Sequence, residues 1–371
     1  MTRPLTAHIN LSALQHNYQL ACQQLPSGKS VAVLKANAYG HGAVEVAKAL
    51  ENLAPAFALA CLEEALELRQ AGIKQPLILL GGFFTPDELP LIAENNCQPV
   101  IHSLWQVEAL EKFFNQPAGA KSAPLTVWLK VDTGMHRLGL ALSEVETALS
   151  KLASFSQVKE ILLISHLGQA DQTDESAKQL SLQQLAHLKQ LSQKYAYKFS
   201  LANSAASLNQ LTDEQAYQRL GIMLYGISPF ELSNQHPLAS QLKPVMTLST
   251  RIISLRSLAA GESLGYGGAF TCQQPSLIGV AAAGYGDGYP RQMKNGAPLL
   301  VNNQPAKIAG RVSMDLITLD VTSCQEVKIG DEVVLWGANP SANEVASYCD
   351  TIGYTLVTGL LPRVKRVYVT S

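Results

Sequence analysis

Charge is scarce in this sequence of 371 residues: 15% are Asp, Glu, Lys or Arg, and the formal net charge is −1. A near-neutral chain with no long basic run offers no footprint for nucleic acid or an anionic membrane surface. Cysteine is sparse too. The six, Cys22, Cys61, Cys97, Cys272, Cys324 and Cys349, stand far apart with no Cys-x-x-Cys pair, which argues against a metal site or a disulfide framework and suits a reducing cytoplasm. No apolar run reaches the length of a membrane span. The opening Met1-Thr-Arg-Pro-Leu-Thr-Ala-His-Ile-Asn10 has neither the apolar core nor the cleavage site of a secretory leader. No Gly-x-Gly-x-x-Gly opens a helix after the first strand, so dinucleotide binding has no support. Small-molecule chemistry is the default that these absences leave.

What is present begins with Val31-Ala-Val-Leu-Lys-Ala-Asn-Ala-Tyr-Gly-His-Gly42. Residues 30–34 read as a buried parallel strand, and Lys35 stands where it runs out into a glycine-bearing turn. Burial disfavours the ammonium. That suits a lysine acting as an amine nucleophile and proton carrier, although most strand-end lysines are plain surface residues.

From residue 9 the chain alternates. Ser12 with Gln15 suggests a capping box for a first helix ending near residue 25. Strands are expected at 30–36, 56–62, 76–82, 98–103, 125–133, 159–166, 198–203 and 218–226, with amphipathic helices at 43–52, 62–71, 85–96, 105–115, 142–155 and 175–195. Eight strands separated by helices have the count and size of a (β/α)8 TIM-type barrel, with a doubly wound open sheet as the competitor. Near Pro229 the pattern changes to a polar segment, 231–237. Thereafter strands dominate, at 245–258, 276–283, 298–301, 304–308, 315–321, 331–335 and 363–370, with one short helix at 343–350. The expected organisation is a barrel over residues 9–230 followed by a second, mainly β domain over 240–371, against which residues 1–8 can pack.

A barrel collects function at the C-terminal ends of its strands. Lys35, Lys130, Asp132, Arg137, His166, Asn203, Ser204 and Arg219 fall there, and ionisable groups ending apolar strands are costly for stability alone. Ala202-Asn-Ser-Ala-Ala206 is a small-residue turn into a helix whose free amides can hold an anion or simply receive a cap from Asn203. Arg219-Leu-Gly-Ile222 supplies the other half of the cradle, with Gly221 permitting close backbone approach.

These motifs, with Lys130-Val-Asp-Thr-Gly-Met-His-Arg-Leu-Gly139, Ile164-Ser-His-Leu-Gly-Gln-Ala-Asp171, Leu264-Gly-Tyr-Gly-Gly268, Gly284-Tyr-Gly-Asp-Gly-Tyr-Pro-Arg291 and Gly310-Arg-Val-Ser-Met-Asp315, resemble the alanine racemases along nearly the whole chain. The resemblance implies a homodimer with pyridoxal 5'-phosphate on Lys35. It also implies a phosphate held by Tyr39, Ser204, Gly221, Ile222 and Tyr354, and Arg219 facing the pyridine nitrogen. An arginine, with a pKa above about 12, does not hand over its proton, which favours proton return over transamination. By the same resemblance Arg137 meets the cofactor phenolate and the substrate carboxylate, His166 bridges Arg219 to the catalytic tyrosine, and Met314 offers its amide to that carboxylate. Asp171, Tyr285 and Arg291 line the entrance. Lys130 is either carbamylated, as is common in the family, or in a salt bridge to Asp132 or a neighbouring acid.

Racemisation needs two acid/base groups flanking one carbon, and these would be Lys35 and, from the partner subunit's copy, Tyr266. A tyrosine hydroxyl ordinarily titrates near 10, so cationic His166 and Arg219 are expected to favour its deprotonation. Ser313 stands where many relatives carry cysteine and Gly265 where serine is common, which leaves substrate range and loop stiffness open. The implied activity is interconversion of L- and D-alanine for peptidoglycan. Alternatives are a broader or serine-preferring racemase, a decarboxylase of the same architecture, and a non-catalytic pyridoxal-phosphate binder.

Overall fold

The structure, a computed structural model, is described for residues 3–211, 214–234 and 236–370; Met1, Thr2, Gln235 and Ser371 of the expected segments lie outside it. Strand β1, Thr6–Asn10, precedes a helix at Leu11–Gln23. That helix is capped by Asn10, whose Oδ1 accepts from the Ala13 amide at 2.9 Å, so the expected capping by Ser12 falls inside the first turn instead.

Eight parallel strands then close a barrel: β2 (Lys29–Val33), β3 (Phe57–Leu59), β4 (Leu77–Leu79), β5 (Cys97–Ile101), β6 (Leu125–Lys130), β7 (Val158–Ile164), β8 (Phe199–Ser200) and β9 (Tyr217–Leu220). Closure is direct, with Val31 of β2 paired to Arg219 of β9. Helices cover the barrel outside, and Val, Leu and Ile from the strands fill it. The open-sheet alternative is thereby set aside.

The observed strands are shorter than the apolar runs. β9 ends at Leu220 and the chain turns into a 3-10 helix at Ile222–Tyr225, where a strand to residue 226 was expected. Apolar content marks burial and does not distinguish strand from buried turn.

The second unit is an eight-stranded sheet built on the long β10, Met246–Leu258. β10 pairs antiparallel with Glu332–Trp336, with Ser276–Ala281 and with β1. β1 in turn pairs parallel with Lys365–Val369, so the first strand and the last complete this sheet side by side. Two elements were not foreseen: the helix Gly353–Thr358, which carries Tyr354, and the small hairpin Ser263–Leu264 with Phe270–Thr271, which carries Tyr266.

Candidate active site

Lys35 leaves β2 into an unusual backbone. Ala36, Asn37, Ala38 and Tyr39 all have φ between 51° and 54°, a turn of left-handed helix built without glycine. L-residues pay about 1–2 kcal/mol each for this conformation, so neighbours must hold it. Glu64 does so with both oxygens, accepting from the Ala36 amide and the Ala60 amide at 2.7 Å each. Asn37 accepts from the Ala43 amide at 2.8 Å, and Arg366 donates to the Gly40 carbonyl at 2.6 Å. His41, fully buried, donates from Nδ1 to the Tyr39 carbonyl at 2.9 Å. Lys35 is thus fixed at the barrel mouth. Burial first, then Arg137, hold its pKa below the ordinary lysine range; Glu64 pulls the other way, and Arg219 adds a smaller lowering.

Arg219 is buried at the end of β9. Its Nη1 donates to Ser200 Oγ at 2.6 Å, and its Nη2 reaches the Ser165 carbonyl at 2.7 Å, the Leu201 carbonyl at 3.2 Å and His166 Nδ1 at 3.3 Å. Nε makes no hydrogen bond among the described residues. Burial draws the guanidinium down to about 10, still a cation at neutral pH. Since Arg219 can only donate, His166 Nδ1 accepts and its Nε2 carries the proton. Burial, then Arg219 and the other cations, push His166 down to about 2. It is neutral, and the expectation of a second cation there is corrected: Arg219 alone carries charge at that point.

The two segments expected to form an anion cradle lie side by side. Asn203 caps the helix Ser204–Leu208, accepting from the Ala206 amide at 3.1 Å. Ser204 Oγ accepts from the Gly221 amide at 3.1 Å and the Met223 amide at 3.3 Å. Both lone pairs being used, its O–H is left to donate. The Ile222 amide opens the 3-10 turn beside it. A Cβ on Gly221 would lie 3.0 Å from Tyr39 Oη and 3.5 Å from Ser204 Oγ, so the glycine keeps open the space between two hydroxyls. Burial raises Tyr39 to about 12 and Tyr354 above the ordinary tyrosine range, keeping both as donors; their rings lie 6.2 Å apart.

Lys130, half-buried at the end of β6, is lowered to about 8, by burial first and then by Arg219, Arg137 and Lys35. The alternative of a Lys130–Asp132 ion pair is not what forms: Asp132 accepts from the Gly134 and His136 amides at 3.0 Å each and pairs with His136 Nδ1 at 2.9 Å. Arg137 is exposed on the loop beyond. Among the described residues no ion pair is made by Lys35, Lys130, Arg137 or Arg219. Four basic side chains therefore converge on one mouth with no carboxylate in direct contact among the described residues, which favours anionic groups from outside.

The remaining expected residues sit elsewhere. Tyr266 stands on the β domain with 69% of its surface exposed, Met314 is 54% exposed and Tyr285 37%. No hydrogen bond among the described residues joins them to Lys35 or Arg219. Arg291 lines a cavity of about 370 Å³ with Asn295, Gly310 and Arg311, whereas Asp171 is on the barrel, its field reaching Tyr354. One chain thus carries two separate sets of expected residues. Glu64, Ser200 and Asp287 escaped the sequence reading. Glu64 looks like ordinary helix-start charge, and Asp287 stands inside a glycine-rich motif where nothing local marks it out.

The sequence matches the alanine racemase N-terminal domain over residues 9–229 and the alanine racemase C-terminal domain over residues 245–368. It is 47% identical over 369 residues to an alanine racemase of Chromohalobacter salexigens, covering 99% of this chain and 98% of the relative. It is 46% identical over 367 residues to a catabolic alanine racemase of Pseudomonas putida, covering 99% of each. Its fold superposes on the crystal structure of the biosynthetic alanine racemase from Pseudomonas aeruginosa with a TM-score of 0.92 at 42% identity, over 99% of this chain and 100% of the other. The alanine racemase of Acinetobacter baumannii gives 0.90 at 38%, with the same coverages.

Proposed function

The chain belongs to the alanine racemase family, isomerases that interconvert L- and D-alanine, and on that premise we propose that it acts with pyridoxal 5'-phosphate as a homodimer of composite sites. The carrying observation is the set of Lys35, Lys130, Arg137 and Arg219, none of them in an ion pair among the described residues, beside the expected anion cradle. The cofactor's phosphate and phenolate and the substrate's carboxylate are the anions such a set would receive.

The cradle fits the group. Tyr39, Ser204 and Tyr354 would hold the phosphate through hydroxyls, with the Gly221 and Ile222 backbone alongside. Arg219 Nε is the donor left for the ring nitrogen. When bound, pyridoxal phosphate supplies the electron sink that makes the α-carbon of alanine acidic.

The chain's own groups do the rest. Lys35, with its pKa lowered, offers a free amine to hold the cofactor and then carries a proton on one face of the α-carbon. Tyr266 of the second copy would carry it on the other. Arg137 and the Met314 amide would orient the carboxylate. Arg219 keeps its proton, which restrains charge on the ring and favours reprotonation over transamination; a decarboxylase would call for an acid at that position. Tyr266, Tyr285, Met314 and Leu316 are all partly to largely exposed in one chain, as residues that a second copy would cover should be. Supply of D-alanine for peptidoglycan is the family's role. The six free thiols agree with a cytoplasmic enzyme.

Lys35→Ala should abolish racemisation of both enantiomers and the visible absorbance of bound cofactor. Tyr266→Phe should retain that absorbance yet lose proton removal from L-alanine, followed by α-deuterium exchange. Full activity of Tyr266→Phe on both enantiomers would overturn the two-base reading. A panel of single L-amino acids with chiral analysis tests strictness; equal rates on serine would favour the broader racemase.

A further inference from the structure

Outside the barrel mouth a polar cluster surrounds Asp287, a carboxylate only 1% exposed. Arg3 Nη2 donates to its Oδ2 at 2.7 Å, Arg363 Nε lies 2.7 Å from its Oδ1, and the Gly284 amide donates to Oδ2 at 2.9 Å. The same Arg3 nitrogen also donates to the Asp315 carbonyl at 2.9 Å, and Arg363 Nη2 to Asp315 Oδ1 at 2.8 Å. Two turns are thereby clamped together. One carries Tyr285, the other Met314. Their backbones are already joined, Tyr285 to the Ser313 carbonyl at 3.0 Å and Gly286 to the Met314 carbonyl at 2.8 Å. Contact is so close that a Cβ on Gly284 would fall 2.3 Å from the Met314 carbonyl oxygen.

We propose that Arg3 and Asp287 are positioning residues for substrate binding, holding the Met314 turn and Tyr285 in register from a cluster that touches no reacting atom. The inference rests on the reading of Met314 as the residue whose amide meets the substrate carboxylate. Physically the device is economical. A planar guanidinium can grip a carboxylate and a carbonyl at once, so a residue at the very start of the chain cross-links two turns some three hundred positions away. Loss of the clamp leaves Lys35 and the cofactor cradle untouched, and the carboxylate contact exists before and during proton transfer alike. Weakening it therefore raises KM and leaves kcat nearly unchanged.

The test uses the holoenzyme with L-alanine, reading kcat and KM separately together with cofactor absorbance. Arg3→Met and Asp287→Asn are each expected to raise KM by roughly three- to tenfold with kcat within about twofold, and Arg3→Lys should recover part of the loss. Falls in kcat or melting temperature at unaltered KM mean a merely structural cluster and overturn the proposal. Arg3, at the chain terminus and 31% exposed on its side chain, keeps the test available if Asp287→Asn does not fold. Met314→Pro, which removes the amide hydrogen, read against Met314→Leu as the control for the lost side chain, separates the two ideas. Raised KM there with unchanged KM in Arg3→Met sinks the positioning role; unchanged KM in Met314→Pro sinks the reading of Met314 on which it rests.

Discussion

Lys130 illustrates how far one side chain is set by its surroundings. Its amine is lowered to about 8 by burial and by Arg219, Arg137 and Lys35, and Asp132, the nearest acid in sequence, is taken by His136. An ordinary lysine near 10.4 is almost wholly charged at pH 7.5, whereas this one has a substantial neutral fraction able to add carbon dioxide. Carbamylation would replace one of four clustered cations by an anion next to Arg137. With ¹³C-bicarbonate, a carbamate resonance should appear and grow as pH rises through about 8; it should be missing in Lys130→Arg. The sign for stability follows from the same numbers. The folded chain sheds this proton before the unfolded chain does, so the unmodified protein should gain stability between about pH 8 and the ordinary lysine range, relative to Lys130→Met.

At the scale of an element, the left-handed turn from Ala36 to Tyr39 decides where Lys35 points. Four residues there cost about 4–8 kcal/mol together if each pays the usual penalty, a load that one surface hydrogen bond does not offset. Glu64 matters because two amides, Ala36 and Ala60, each need an acceptor and a carboxylate supplies two. Glu64→Gln offers one acceptor and one donor, so one amide loses its partner. The expected result is a fall in kcat of roughly tenfold from a misplaced amine, with the helix and sheet signal in circular dichroism unchanged. Ala36→Gly, which relieves the left-handed penalty, should restore part of the lost stability in the double variant. A normal kcat in Glu64→Gln would show that the turn stands without it.

For the whole molecule the question is whether one chain holds a complete site. Lys35 and Arg219 are together at the barrel mouth, whereas Tyr266 and Met314 are exposed on the second unit, and among the described residues neither hydrogen-bonds to Lys35 or Arg219. A twofold dimer in which each sheet serves the other barrel joins the two sets. Mixing the inactive variants Lys35→Ala and Tyr266→Phe, with unfolding and refolding to exchange subunits, tests this directly. Each hybrid dimer would contain one intact site, and a random mixture should recover roughly a quarter of wild-type activity. No recovery, with hybrids verified by mass, would put both groups in one chain.

The barrel was legible because alternation of apolar strands with amphipathic helices is a local signal, repeated eight times. The site was legible as far as each motif lies at a strand end: Lys35, His166, Asn203 and Arg219 all fell where barrel geometry predicts. Glu64 and Arg3 were not, since an acid opening a helix and an arginine near a terminus look alike whether they clamp a turn or face water. His166 differs from expectation for a related reason: its charge depends on burial first and then on four neighbouring cations, Arg219, Lys130, Arg137 and Lys35, and no window of sequence contains them. What the sequence determined alone was therefore the set of elements and the chemistry at their ends, both fixed by neighbours within a few residues. What only the tertiary structure decided was protonation, the left-handed turn and the clamp around Asp287, because each depends on distances between groups brought together from far apart along the chain.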